Sequence, residues 1–532
     1  MLSKIARRIP RRYRLKIKDL IGYSAYANYG FKVDVEKSDN PQHFHFANIL
    51  GSHRASNLLE PSLAKFLVER GHRVTVTLCD KALPACLACS IWNQDSKHRQ
   101  DSDFIPPQKL GICGGCYEPA RKAWETTGAE ILRISAAKLT ENYVNDFERK
   151  IVKYGDVDLS EDVIAGCLRF LCKGNSDCIT QKLWDAYAQS ALRVAAFYTD
   201  FLDEEQVDVS FSVHGIYVPH GVTNKVMQAK NVSFFNYNTS YREKRFYFTK
   251  DNTYHHVLPN ETGEELGLGN TPDRDIEEIT QYLGSRRNGS QDWQQFNNEP
   301  DEQLTRYFEN SGFDASKPTA VLFSNVVWDA RLHFEDNTYE DMSDWIKDTI
   351  NCFAKMPERN LIIRTHPGEV VSHSKSRERL RDLDCIKKRP SNVLFIDAEE
   401  KISSYALGEF ADLNLVFASK MAMELCCMEA PIITCGDAWI KNKGATISPE
   451  KQAEYLAYIS GEWDDLKAKC DKRQGLAYAH YIFEKKPLFF DFLDPSADRK
   501  SFQVNVETLK KEIMSFEGNS LFRIENALKD SL

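Results

Sequence analysis

An α/β fold in two halves follows from three features of the sequence. Strand-like and helix-like stretches alternate from about residue 42, a second such series opens at Thr319, and a polar, turn-rich stretch separates the two. The length agrees, since 532 residues at roughly 100–200 per domain make two or three domains.

The first half begins with His43 to Leu50, an apolar run that reads as a buried strand, and Arg54 to Glu69, an amphipathic helix. Gly71-His72 supplies a turn, and the alternating β-branched residues of Arg73 to Leu78 read as the next strand. Strand–helix–strand is the βαβ unit of a parallel sheet. A helix from Lys182 to Phe201, a strand from Asp208 to Val213 and a helix–strand pair over Val222 to Tyr237 extend it. Gly263, Gly267, Gly269, Pro272 and the run Arg286 to Gln291 predict an interdomain linker at 263–316. The second half runs through Thr319 to Asn325, a helix near 341–355, and the strands Asn360 to Arg364 and Val393 to Ile396. The strand Leu413 to Phe417, a helix near 420–428 and the strand Pro431 to Thr434 complete it. The expected organisation is therefore two Rossmann-like domains facing a central cleft, at 26–262 and 317–490, with a Cys-rich insertion at 79–120 in the first. Residues 491–532 read as a helical tail, with Val506 to Met514 helical, that packs back on the first half.

Composition narrows the function. With 42% hydrophobic and 27% charged residues the chain is globular, and no apolar run approaches the roughly 18–20 residues of a spanning helix. Ala6-Arg7-Arg8 is followed by further charge, unlike a secretory signal, so the expected location is the cytoplasm and the fourteen cysteines are expected as thiols or metal ligands. A net charge of −8 argues against a nucleic-acid binder. The segment 1–25 is different: Lys4, Arg7, Arg8, Arg11, Arg12, Arg14, Lys16 and Lys18 interleave with Leu2, Ile5, Ile9, Tyr13, Ile17 and Leu20. Such a basic amphipathic stretch either lies peripherally on the inner face of the cytoplasmic membrane or docks on the acidic body of the protein.

Ligands of open parallel sheets bind beyond the carboxyl ends of the strands. In the second half those ends carry Ser324-Asn325, then Trp328-Asp329, Arg364-Thr365-His366-Pro367-Gly368-Glu369, Ser403-Ser404-Tyr405, Ala418-Ser419-Lys420 with Glu424 beyond, and Gly436-Asp437. They suit a nucleotide-activated sugar. Backbone N–H groups at a helix start and the Ser419 hydroxyl would hold phosphate, Arg364 and His366 would add charged hydrogen bonds, and Glu424 would accept from ribose hydroxyls. Singly, a serine after a strand is most often a helix cap and a His-Pro pair a turn. Repetition at four strand ends favours the site. No Walker loop and no Gly-x-Gly-x-x-Gly occurs, which disfavours kinases and dinucleotide enzymes. In the first half His214, flanked by Gly215 after a strand, is either a base facing a cleft ligand or a structural histidine in a turn. The stretches Tyr241 to Arg245 and Thr253 to His256 are either an acceptor-binding region or a solvated loop.

Cys86/Cys89 and Cys113/Cys116 form two Cys-x-x-Cys pairs, with Cys79 and Asp80 just before them. Four thiolates so spaced are the usual pattern of a structural zinc, the alternatives being unliganded thiols or an iron–sulfur or redox centre. Cys426-Cys427 and the remaining cysteines read as small core residues.

Val321 to Ala330, Ile363 to Glu369, Ile402 to Tyr405 and Ser419 to Glu424 resemble the capsule polysaccharide biosynthesis protein family of bacterial glycosyltransferases, as does Ser212 to Tyr217. The resemblance spans roughly residues 40–490 and is most specific over 319–445. It implies the GT-B architecture, with the activated sugar held mainly by the C-terminal domain. The His-Pro element is similar to that of bacterial transferases using CMP-activated acidic sugars, Kdo transferases among them. By that resemblance His366 faces the donor phosphate, and Ser403, Ser404 and Ser419 line the same pocket. Ser419-Lys420 departs from the expected Ser followed by Ser or Thr, which places a cation where a diphosphate could sit and leaves CMP- and UDP-type donors open. The function expected is transfer of a sugar to a glycan or lipid-linked glycan of a bacterial capsule or O-antigen, without a catalytic metal. His214 is the first candidate for the base, with Asp80 and Glu369 as alternatives. The rival readings are a nucleotide-sugar epimerase or hydrolase of the same fold, and a non-catalytic polysaccharide assembly protein.

Overall fold

Short runs of Val, Ile, Leu and Phe, bounded by turns and covered on both faces, give this chain its strands. The computed structural model describes residues 27–92, 104–137, 139, 142–286, 292, 303–328, 336–370, 375–495, 502–527 and 529. The basic segment 1–25 lies outside them. The chain forms two units, one of residues up to Leu171 with Asn175–Tyr254 and Pro487–Leu532, the other of Cys172–Gly174 and His255–Lys486.

Unit 1 carries β1 (His43–Phe46), β2 (Arg73–Leu78), β3 (Glu130–Arg133), a small antiparallel sheet of β4 (Tyr143–Asp146), β5 (Ile151–Tyr154) and β6 (Val157–Asp158), then β7 (Val209–Val213), β8 (Phe234–Thr239) and β9 (Arg245–Lys250). From the end of the chain come β15 (Leu488–Phe489), β16 (Leu493–Pro495) and β17 (Phe502–Val504). The main sheet has the order β15-β9-β8-β7-β1-β2-β3, in which β3-β2-β1-β7-β8 are parallel and β9 and β15 antiparallel. Phe44 lies opposite Val74 and Val209, and Phe46, Phe211 and Phe235 stack at 5.4–5.7 Å across neighbouring strands. The polar residues of β1 are satisfied internally: His43 Nε2 and His45 Nδ1 both lie 2.9 Å from Thr75 Oγ1. The tail does pack on this unit. β15 pairs with β9, and Glu525 accepts from Arg70 Nε at 2.8 Å and pairs with His72 Nε2 at 2.9 Å.

Unit 2 carries β10 (Thr319–Phe323), β11 (Asn360–Arg364), β12 (Val393–Ile396), β13 (Leu413–Val416) and β14 (Ile432–Thr434), all parallel in the order β12-β11-β10-β13-β14. Trp345, Ile346, Phe353 and Tyr455 pack beneath this sheet. Asp341 caps the helix Met342–Phe353, accepting from Ser343 N at 2.6 Å. Both sheets are thus Rossmann-like, ordered 3-2-1-4-5, and in each the order reverses beside the first strand, between β1 and β7 and between β10 and β13.

Two expectations change. The stretch 263–316 is not a bare linker: the helix Asp273–Ser285 turns Ile279, Tyr282 and Leu283 inward and belongs to unit 2. The stretch Tyr241 to Arg245 is the turn into β9, a strand that buries Phe246, Tyr247 and Phe248 in a row, and Tyr254 to His256 open the helix Tyr254–Asn260. No helix among the described residues is long and apolar enough to cross a membrane.

Candidate active site

At the switch point of unit 2, side chains bridge the strand ends. Buried Ser324 follows β10, and its Oγ accepts from His366 N at 3.0 Å beyond β11. Asn325 Oδ1 accepts from Ala418 N at 3.2 Å beyond β13. His366 is half-buried, and its Nδ1 accepts from Gly368 N at 2.9 Å, so the neutral ring carries its proton on Nε2. A Cβ on Gly368 would lie 2.7 Å from that Nδ1, which is why glycine stands there. Ser419 Oγ accepts from Met421 N at 3.2 Å, and Lys420 Nζ sits 4.1 Å from the centre of the Trp439 ring. Ser324, Asn325, His366 and Ser419 are therefore brought together, with Lys420 adjoining.

Other residues of the expected set are engaged elsewhere. Arg364 is buried and donates to three backbone carbonyls, Asp397 at 2.6 Å, Glu400 at 3.1 Å and Ile402 at 3.1 Å, so its guanidinium clamps a loop where a phosphate contact was expected. Glu424 pairs with Arg286 Nη2 at 3.0 Å and accepts from the Tyr405 hydroxyl, in a buried network that also joins Arg286 to Asp292 at 3.0 Å. Ser403 is a cap, accepting from Ala406 N at 3.2 Å, and Ser404 opens the helix Ser404–Phe410, half-buried. The helix Met421–Glu424 is a single turn continued by the 3-10 turn Leu425–Cys427, so few aligned peptide dipoles point at Ser419. Burial raises the Glu369 carboxyl to about 8; it accepts from Leu380 N at 3.3 Å. Trp328 donates to Ser376 Oγ at 3.2 Å, Asp437 pairs with Lys441 at 2.9 Å, and Asp329 lies outside the described residues.

Unit 1 gathers three histidines at its own switch point. His214 follows β7 with φ at 70°, its N–H donating to Tyr237 O at 2.9 Å and its ring edge-on to Tyr217. Gly215 holds φ 78°, and a Cβ there would sit 2.2 Å from Asn236 Oδ1. Beneath this turn Ser212 donates to Asn224 Oδ1 at 2.8 Å, and Asn224 Nδ2 donates to Asn236 Oδ1 at 2.6 Å and to Gly215 O at 3.2 Å. His220 opens the helix His220–Ala229, fully buried, with neither ring nitrogen hydrogen-bonded among the described residues. Burial holds it neutral, well below the usual histidine range, with His53 and His214 near enough to add to the effect. His53, in the loop after β1, is lowered to about 4, by burial first and then by Arg169. That guanidinium in turn lies 4.9 Å over the Tyr217 ring. Asp80 faces away, accepting from Ser135 N at 3.0 Å.

His53 and His220 were not singled out from sequence. The signal was available, since both follow strands that flank a reversal of strand order; the strand read as far as Leu50 and the helix read from Arg54 hid the loop between them.

Of the cysteines, Cys86, Cys89 and Cys116 are buried and Cys113 half-buried; all are free thiols, with Cys86 and Cys89 sulfurs 3.9 Å apart. Among the described residues no three His, Cys, Asp or Glu side chains already converge as a metal site. Cys426 is a core residue as expected, whereas Cys427 is exposed.

No family model matches the chain, and no curated protein does. Among solved structures it is similar to the beta Kdo 2,4 transferase KpsC of Thermosulfurimonas dismutans, at 13% identity over 58% of this chain and 87% of that one, TM-score 0.36. It is similar also to a glycosyltransferase from Rickettsia africae, at 10% identity over 93% and 100% of the two chains, TM-score 0.27. For the calicheamicin glycosyltransferase CalG4 the figures are 11% identity, 84% and 94%, and a TM-score of 0.27. Likeness this slight carries no argument about what the chain does.

Proposed function

We propose that the chain is a GT-B glycosyltransferase that moves a sugar from a CMP- or UDP-type donor to a glycan or lipid-linked glycan in bacterial surface-polysaccharide assembly. The observation that carries this reading is the convergence of Ser324, Asn325, His366 and Ser419 at the switch point of unit 2, where an α/β sheet binds nucleotides. In this reading the acceptor hydroxyl attacks the anomeric carbon and the bond to the nucleotide phosphate breaks. His366 Nε2–H and the Ser419 hydroxyl stabilise the leaving phosphate as its charge develops. In the same reading His214, at the switch point of unit 1, is the base that removes the acceptor's proton; His53 and His220, held neutral by burial, put no charge beside it.

The test is a titration of CMP and UDP into wild type and His366→Ala by calorimetry and thermal shift. A nucleotide at a hundred times its Kd adds about 2.7 kcal/mol of apparent stability. Binding of one nucleotide, lost in His366→Ala, supports the donor site. Binding by neither protein overturns it. With a donor identified, His214→Ala should abolish transfer and leave nucleotide affinity intact; hydrolysis or epimerisation without an acceptor would replace the transferase reading.

A further inference from the structure

Cys86 and Cys89 face each other across a single turn of unit 1. The N–H of Cys89 donates to the Cys86 carbonyl at 2.9 Å, and one thiol donates to the other with the sulfurs 3.9 Å apart. A turn closed in this way holds its end Cα atoms within about 7 Å, and a disulfide takes Cα atoms roughly 4.4–6.8 Å apart. The S–S bond is about 2.0 Å long, so each sulfur has only about 1 Å to travel, within reach of a side-chain rotation. The backbone is meanwhile fixed from outside. Ala85 N donates to Ser190 Oγ at 2.9 Å and Tyr187 OH to the Cys86 carbonyl at 3.3 Å, both from the helix Gln181–Glu204.

The second Cys-x-x-Cys is placed differently, since Cys113 and Cys116 lie within the helix Ile112–Glu125 and the Ser52 hydroxyl stands within hydrogen-bond reach of Cys116 Sγ. Of the first pair, Cys86 keeps 8% of its surface exposed and Cys89 3%. The hydrogen bond with Cys89, and then burial, hold the Cys86 thiol protonated, well above the ordinary cysteine range. A couple whose thiolate is disfavoured reacts slowly and is reducing in character, unlike the low-pKa thiols of fast oxidoreductases. Leu87, between the two cysteines, donates its N–H to Val218 O at 3.0 Å. Val218 belongs to the turn that runs from His214, after β7, to His220, which opens the next helix. One backbone hydrogen bond therefore joins the dithiol to the turn that carries these histidines.

We propose that Cys86 and Cys89 form a reversible disulfide, with a low-molecular-weight disulfide such as oxidised glutathione as the oxidant, and that its formation tightens the turn from His214 to His220. Cys86, the more exposed of the two, gives its proton to water and attacks one sulfur of the small disulfide RSSR. A mixed disulfide forms, and the first RS⁻ leaves and is protonated. The Cys89 thiolate then attacks the Cys86 sulfur and expels the second RS⁻. Two protein thiols are thereby oxidised to one disulfide, and one RSSR is reduced to two RSH. Closing the ring fixes Leu87 between the joined residues, and with it the N–H that Val218 O accepts. The proposal is independent of the transferase reading, because both its parts are read without substrate.

The test exposes the full, folded chain to oxidised glutathione, alkylates the remaining thiols under denaturing conditions and maps the tryptic peptides by mass. Cleavage after Lys81 and Lys97 leaves Cys86 and Cys89 as the two cysteines of one peptide. That peptide should be lighter by its two thiol hydrogens and at least about tenfold less alkylated, and dithiothreitol should restore it. Hydrogen exchange over His214 to His220 should slow about threefold or more on oxidation of wild type, and should not change in Cys89→Ser. Peptide mapping of wild type needs no variant, so a serine chain that fails to fold does not shelter the proposal. A pair that stays fully alkylatable, or that links to Cys113 or Cys116, overturns it. Zinc in the purified chain that Cys89→Ser loses overturns it as well. Unchanged exchange over His214 to His220 in the oxidised wild type overturns the coupling to the turn.

Discussion

Replacing Arg364 by Met tests whether its guanidinium supports the loop or the ligand. The structure gives it three carbonyl acceptors at 2.6–3.1 Å in a place water cannot reach. Hydrogen bonds of a charged donor are worth about 1.5–3 kcal/mol each, so three amount to roughly 5–9 kcal/mol. Against this stands the burial of the charge, which draws its pKa from 12.5 down to about 10. At ~1.4 kcal/mol per pH unit that cost is about 3 kcal/mol. The net loss expected in Arg364→Met is about 2–6 kcal/mol. For a unit of this size each kcal/mol moves Tm by about 2–4 °C, so a fall of roughly 4–24 °C is expected. Urea unfolding with a fluorescence readout measures the loss, and calorimetry with CMP and UDP measures the site in the fraction still folded. A variant within about 1 kcal/mol of wild type that binds nucleotide tenfold more weakly would refute the clamp and return Arg364 to the phosphate.

Glu424→Gln should destabilise unit 2 by about 3 kcal/mol, since it removes one of the two carboxylates, Glu424 and Asp292, that balance the charge of the buried Arg286; undiminished stability with weakened nucleotide binding would return Glu424 to the ribose. Gly215→Ala should cost about 2–4 kcal/mol in urea unfolding, because φ is 78° and the new methyl would meet Asn236 Oδ1 at 2.2 Å; an unchanged midpoint would show the turn is free to relax. Burial raises Glu60 from 4.5 to about 8, so the folded state holds a proton that the unfolded state releases above pH 4.5. Stability from this group is complete below pH 4.5 and falls by about 1.4 kcal/mol per pH unit up to about 8. Glu60→Gln keeps the acceptor for Tyr237 OH and should therefore gain about 2.7 kcal/mol on wild type between pH 5.5 and 7.5; a constant difference would refute the assignment.

The parallel strands were legible because each is an apolar run ending in a turn, and Arg73–Leu78, Asn360–Arg364 and Val393–Ile396 fall where the sequence puts them. β9 was not, since its charged ends Arg245 and Lys250 mask three buried aromatics. Nor was β15, whose two residues gain meaning only against a strand some 240 positions earlier. At the site, residue type and strand-end position located Ser324, His366 and Ser419. They could not reveal which polar groups the fold itself would occupy. Arg364, Ser403 and Glu424 have the chemistry of ligands and the partners of scaffold, a distinction made by a few ångströms of loop path.

The return of the chain to unit 1 after Lys486 bears on its birth. Synthesis at about 5–20 residues per second delivers roughly 230 residues of unit 2 before Pro487, a wait of roughly 10–50 s. During it β9 has an open edge and the helix Ser56–Glu69 lacks the Ser520–Glu525 helix that covers it. A nascent first half is then a template for stray strands, so the expressed chain should be most vulnerable to aggregation before its last residues leave the ribosome. Trimming the far end would injure the beginning of the protein, not its end.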